Sequence, residues 1–319
     1  MRGQIKFKSP NLLRKYSILI IIAGLIVFFS LMEHRFISAA NITNIIRQSA
    51  VMIIVASGAT FVMIAGDIDI SIGGVACMTS VIAGLLIVKG FPIAVAVLVA
   101  VFFGGVCGII SGALIARFDF PSMVATLAMM NLTTGIANLL TDGTAISNLP
   151  ASFQVMGRGY LGPVPIQVLA MLVIVVVASL VLTGTTYGRY IYAIGGNANV
   201  AKLSGINVKK MKLVYYMISG FCAAFGGILI TSRMGSAQPT LGVSWPMDIL
   251  SAIVIGGVSF KGGSGTILNA VFGIILMTLL TNGLTLLGIN TFWQAVVTAI
   301  LLMVTIIVNY LQDSRKKRD

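Results

Sequence analysis

Acidic residues, histidine and cysteine are all scarce in this chain, whose 319 residues include eight Asp and Glu, one His and three Cys. The single histidine, His34, has no cysteine or carboxylate cluster at metal spacing, which removes a zinc site and a histidine-based triad from consideration. Cys77, Cys107 and Cys222 sit inside apolar stretches as small packing residues, and not as a disulfide framework or ligand set. Charge of any sign is thin, at 9% of residues, against roughly 25% in soluble domains. A globular surface cannot be hydrated by so few groups, so an ordinary soluble enzyme is excluded. No run matches Gly-x-x-x-x-Gly-Lys-Ser/Thr, so the chain carries no phosphate-binding loop. No catalytic residue, metal or cofactor is expected on it.

Hydrophobic residues are abundant, at 58%, and the mean hydropathy of +1.04 makes lipid the solvent. The net charge of +13 comes from 21 Lys and Arg placed at the edges of apolar runs. That placement encodes orientation in a bilayer and argues against a nucleic-acid partner. Backbone groups facing lipid must be satisfied within their own segment, so the long runs are helices. An all-α polytopic membrane protein with ten spans is expected, near 16–32, 46–65, 72–88, 93–115, 122–140, 166–183, 213–232, 246–258, 267–287 and 291–311. The uncharged stretch from Gly262 to Gln312 runs for 51 residues and divides near Gly288-Ile289-Asn290. Segment 246–258 is too short to cross alone unless tilted, re-entrant or lengthened by its flanks. The 16–32 run outlasts a signal-peptide core, and Glu33-His34-Arg35 separates it from the cleavage-like Ser38-Ala39-Ala40, so it is a retained span.

With a cytoplasmic N-terminus, sixteen Lys and Arg fall inside and five outside, the five being Arg35, Arg47, Lys89, Arg158 and Arg233. Both termini are then cytoplasmic, which requires an even number of spans: ten, or eight with two re-entrant segments. The expected organisation is a basic tail over 1–15, a transmembrane domain over 16–311 with a cytoplasmic loop at 184–212, and a basic tail over 312–319.

Asp67-Ile68-Asp69-Ile70-Ser71-Ile72-Gly73-Gly74-Val75 is loosely echoed by Asp248-Ile249-Leu250-Ser251 and Gly256-Gly257-Val258. Spans two to five and seven to ten then form an inverted repeat, a transporter signature. A carboxylate at the centre of a span costs about 2.5–3.5 kcal/mol even on insertion scales. Asp67 and Asp69 must therefore lie in a polar cavity, at the interface, or at a helix end. Either Asp69 or Ser71 caps span three, or the segment lines a substrate route. In the outer segment 236–248, Gln238 and Asp248 suit sugar hydroxyls and Trp245 suits a sugar face, the alternative being a turn with an interfacial tryptophan. Intramembrane Asn282 suits a route or an interhelical hydrogen bond. In the 184–212 loop, Asn197 is an N-cap, Val200 and Leu203 share a face, and Gly205 is a left-handed stop. This short basic helix is either a knob for a cytoplasmic partner or an interfacial helix on anionic lipid.

Over nearly its whole length the chain resembles the permease subunit of bacterial carbohydrate ABC importers, most closely the ribose-type branch. The resemblance is carried by Gly188-Arg189-Tyr190-Ile191-Tyr192-Ala193-Ile194-Gly195-Gly196-Asn197, Leu203-Ser204-Gly205-Ile206-Asn207-Val208, Ser236-Ala237-Gln238-Pro239-Thr240 and Asn282-Gly283-Leu284-Thr285-Leu286-Leu287-Gly288. Two places depart from the family pattern. Asp67 is an extra charge where Gly-Gly-Ile-Asp-Leu-Ser is usual, and Met247 precedes Asp248 where an acidic residue is usual. The resemblance implies alternating-access transport of ribose or a similar monosaccharide across the bacterial inner membrane. It implies a homodimer, or a pair with a related permease, together with a cytoplasmic ABC ATPase that binds the ATP and an extracytoplasmic sugar-binding protein. The ATPase-coupling helix would then comprise Gly195, Gly196, Asn197, Lys202, Leu203, Ser204, Gly205 and Asn207. Asp67, Asp69, Ser71, Gln238, Trp245, Asp248 and Asn282 stand as pathway candidates. The rival is an ion-coupled secondary transporter in which Asp67 or Asp69 binds a proton or sodium ion; a non-transporting scaffold is a third reading.

Overall fold

The computed structural model describes residues 10–316, so the expected tails lie outside it at 1–9 and 317–319. Thirteen α-helices follow one another along this stretch. They are α1 (Pro10–Met32), α2 (Ala39–Ile64), α3 (Ile72–Val88), α4 (Ile93–Phe118), α5 (Ser122–Thr141), α6 (Ala151–Arg158), α7 (Ile166–Gly184), α8 (Thr186–Gly196), α9 (Ala198–Leu203), α10 (Val208–Met234), α11 (Trp245–Ile255), α12 (Ile267–Leu286) and α13 (Thr291–Lys316). Six of these, α2, α4, α5, α7, α10 and α12, are long and apolar enough to cross a membrane. Shorter apolar helices fall at Ile18–Met32, Ile72–Val88, Trp245–Ile255 and Thr291–Thr305, at the places of the other four expected spans.

Boundaries moved where side chains cap helix ends. Ser38 accepts from the Asn41 amide and starts α2 seven residues earlier than the apolar run suggests. Asn207 accepts from the Lys210 amide, so Lys209, Lys210 and Lys212 belong to α10 and not to a loop. The sequence reading did not anticipate α6 or the two-residue strands at Tyr160–Leu161 and Val164–Pro165 that follow it. These elements are too short to leave a periodic signal.

Helices α2 and α10 form the centre and run antiparallel. Asn44 near the start of α2 meets Arg233 at the end of α10, while Asp67 just beyond α2 meets Lys212 in the first turns of α10. Small residues let the backbones approach. Gly104, Gly108 and Gly112 carry α4 along α10, and a Cβ on Gly108 would overlap the Tyr216 carbonyl oxygen. The neighbours of the two halves correspond: α10 packs on α4 as α2 packs on α12, α3 on α5 as α11 on α13, and α3 on α4 as α11 on α12. This is the contact pattern of an inverted repeat relating α2–α5 to α10–α13.

Both halves contain a span that begins without helix. After α2 the chain turns at Gly66 (φ +85°) and runs non-helically through 67–70 before α3 begins. After α10, Ala237 pairs with Ile146 and lies against Gly84, whereas Gly242 and Pro246 lie against Gly73. The chain thus descends from the level of Gly84 to that of Gly73, roughly 16 Å along α3, before α11 starts at Trp245. The short segment 246–258 therefore crosses with its flank 237–244 as the other part of the span. The 236–248 stretch is not an outer loop but reaches into the bundle.

Candidate functional site

The break before α3 is held against a polar stripe on α10. Lys212, Tyr215 and Ser219 stand three and four residues apart, which puts them on one helix face. Lys212 Nζ donates to Asp67 Oδ2 at 2.7 Å, and the Tyr215 hydroxyl donates to the same oxygen. Tyr216 donates to the Ile68 carbonyl at 3.3 Å. One turn further, Ser219 donates to Asp69 Oδ2 at 2.7 Å. Ser219 lies roughly 16 Å along α10 from its first residue, so Asp69 sits well inside the bundle.

Asp69 is 2% exposed. Its other oxygen accepts the Ser71 amide at 2.9 Å and the Ser71 hydroxyl at 2.5 Å. Among the described residues no cation lies within ion-pair distance of it. Three hydrogen bonds, two from Ser71 and one from Ser219, satisfy its two oxygens. Ser71 occupies the N-cap position of α3, but its hydroxyl donates to Asp69 and caps nothing. Backbone amides from the same segment are met by α5: Ile68 donates to Ser122 at 3.2 Å and Ile70 to Thr126 at 3.1 Å. The non-helical stretch is thus satisfied from both sides, as irregular backbone at membrane depth requires.

The other candidates are dispersed. Trp245 is 6% exposed, with its ring in the core. Asp248 is exposed on α11 beside Met247 and Val243, facing away from the bundle at the depth of Gly73. A carboxylate there needs water or a partner chain. Gln238 is half-buried on the descending segment. Asn282 and Asn41 bond each other through both amides, at 2.9 and 3.0 Å, near the opposite end of the molecule from Asp67. That pairing takes the form of an interhelical bond.

The 184–212 region is two helices and not one. Gly195 and Gly196 end α8, and Asn197 opens α9 by accepting from the Asn199 and Val200 amides at 3.0 and 3.1 Å. Gly205, at φ +85°, turns the chain away after Ser204, whose hydroxyl returns to the Val200 carbonyl. Val200 and Leu203 project outward at 56% and 89% exposure, with Lys202 between them. Asn207 caps α10. Gly195 is half-buried in a junction where a Cβ would overlap the Ile64 carbonyl oxygen, beside the Gly263 amide, which itself donates to Ile64 at 2.8 Å.

Sequence reasoning missed the partners on α10, although the Lys212–Tyr215–Ser219 spacing on an apolar helix was a legible signal. It also missed a basic cluster at the far end. Arg158 donates to the Arg233 carbonyl at 2.7 Å, Arg233 to Asn44 at 2.8 Å, and Arg47 to the Arg158 carbonyl at 3.0 Å while lying 4.6 Å over the Tyr160 ring. A cavity of about 370 Å³ opens beside Arg47, Asn44 and Tyr160. No carboxylate pairs with these arginines among the described residues. Nor is there a group of three or more potential metal ligands among them.

The sequence matches the family described as branched-chain amino acid transport system, permease component, over residues 41–306. It is 38% identical to the ribose import permease protein of Haemophilus influenzae, with 90% of each chain covered. It is 34% identical to a probable ABC transporter permease protein of Escherichia coli, covering 96% of this chain and 92% of that one. It is 32% identical to the galactose/methyl galactoside import permease protein of the same organism, with 95% of each covered. No solved structure matches the chain.

Proposed function

Because the chain belongs to the family of branched-chain amino acid transport system permease components, we propose that it is the membrane-spanning permease subunit of an ATP-driven sugar importer in the bacterial inner membrane. Its relatives import ribose and galactose, and ribose or a similar neutral monosaccharide is the substrate we assign. A neutral sugar needs no fixed countercharge, which agrees with Asp67 and Asp69 being occupied by their own partners. An ion-coupled carrier would need one of these carboxylates free to bind its ion.

The observation that carries the coupling role is Leu203 at the tip of α9. Leu203, 89% exposed, stands with the exposed Val200 and Lys202 as a partly apolar, basic knob on a six-residue helix that presents no lipid-spanning face. A cytoplasmic ATPase groove would receive it, with Val200 and Lys202 beside it. The same end of the molecule gathers Lys202, Lys209, Lys210 and Lys261, which supports a cytoplasmic location for it and for both termini. At the other end, Arg47, Arg158 and Arg233, which have no acidic partner among the described residues, are complementary to carboxylates of an external sugar-binding protein. Two copies, or this chain and a related permease, would enclose the pathway. The exposed Asp248 face of α11 and the non-helical segment 237–244 are its candidate lining. Transport would alternate as ATPase movements reach the permease through α8 and α9.

Deleting the gene in its host tests the assignment. Uptake of labelled ribose at micromolar concentration is expected to fall to background and to return with the gene; unchanged uptake of ribose and of related monosaccharides would refute it.

A further inference from the structure

We propose that Asp67 is a positioning residue that ties the turn between α2 and α3 to α10, so that movement received by α8 and α9 reaches α3 and α10 as one unit. The inference rests on the importer reading above and concerns how force travels inside this chain.

The turn at Ile64–Ile68 has two sides. On one, Gly66 lies against Gly195 and the Lys261 carbonyl, and the Gly263 amide donates to Ile64 at 2.8 Å. Tyr192 of α8 donates to the Gly265 carbonyl at 2.7 Å, which binds the same helix to the turn between α11 and α12. A displacement of α9 therefore passes through α8 into both turns by direct backbone contact. On the other side the turn passes through Gly66, whose φ of +85° is a bend that a residue with a side chain rarely adopts. Asp67, the residue next to that bend, supplies the turn's side-chain link to α10. Its Oδ2 takes Lys212 Nζ at 2.7 Å and the Tyr215 hydroxyl, while Tyr216 holds the Ile68 carbonyl.

Lys212 and Asp67 are 20% and 14% exposed, so water screens the pair less than it would a surface pair. Both partners come from distant parts of the chain, 145 residues apart, and Lys212 is the one cation within ion-pair distance of Asp67 among the described residues. The pair is a long-range side-chain link, and it takes no part in the backbone hydrogen bonds of either helix.

The test uses the complete transporter, permease with ATPase and sugar-binding protein, in proteoliposomes, and reads sugar imported per ATP hydrolysed. Asp67→Asn and Lys212→Met are each expected to lower that ratio by at least about fivefold, the lower end of usual coupling energies, while ATPase co-purification persists. Asp67→Asn combined with Lys212→Met should lose no more than either single change, because the two act through one contact. The reversed pair, Asp67→Lys with Lys212→Asp, should recover at least about half of the lost ratio. Unchanged ratios in the single variants, losses that multiply in the double variant, or no recovery in the reversed pair would overturn the proposal. Should Asp67→Asn fail to accumulate, Lys212→Met and Tyr215→Phe carry the same readout from the α10 side. A wild-type complex that imports no sugar on ATP would refute the importer reading itself, whereas normal import with unaffected variants would refute only the tie.

Discussion

Replacing Leu203 with alanine separates a residue used for docking from one used for folding. The side chain is 89% exposed, so the isolated permease gains almost nothing from it. Seated in a partner groove, a leucine contributes about 1.5–3 kcal/mol through burial. At about 1.4 kcal/mol per tenfold change in affinity, its loss should weaken the permease–ATPase complex by roughly 10- to 100-fold. Titration of the detergent-solubilised permease with purified ATPase measures the affinity, and thermal unfolding of the permease alone serves as the control. The expected outcome is a large affinity loss with an unmoved melting temperature. Leu182→Ala is the contrast, since that side chain is 1% exposed and its truncation should lower stability first. Unchanged affinity of the Leu203 variant, or an affinity loss matched by a loss of stability, would refute the docking role.

Three further outcomes follow from the packing. Gly205→Val forces a β-branched residue into φ +85° in a place with open space around it, so the cost of about 1–2 kcal/mol is backbone strain; α9 should be misaligned and ATP hydrolysis uncoupled from uptake, with membrane insertion retained. Gly108→Val must push α4 off the Tyr216 carbonyl of α10, and thermal unfolding should show destabilisation of about 1–3 kcal/mol. Ser219→Ala removes the only hydrogen-bond donor to Asp69 Oδ2 among the described residues and should cost about 1–3 kcal/mol in the same assay, with Ser219→Thr retaining most of the stability.

The spans were legible because lipid imposes one rule on every segment, and length with apolarity suffices to locate them. The Asn197 cap and the Gly205 stop were legible for a similar reason, since both are decided within a few residues of backbone. The descent of 237–244 was not. Pro239, Gly242 and Pro246 look like punctuation in an outer loop, and only the contact of Gly242 and Pro246 with Gly73 places them inside the bundle. Lys212 illustrates the same limit. Counted by position it is one more cytoplasmic charge, yet Asn207 starts a helix that turns it inward onto Asp67. The extra carboxylate of the 67–71 motif and this lysine explain one another across 145 residues, a separation that no local pattern spans.

Energy source is the central claim, and proteoliposomes decide it most directly. Liposomes holding this permease with its ATPase, supplied with ATP and the sugar-loaded binding protein, are expected to accumulate labelled sugar only when ATP is hydrolysed and only when all three components are present. Accumulation by the permease alone, driven by a proton or sodium gradient without ATP, would contradict the account.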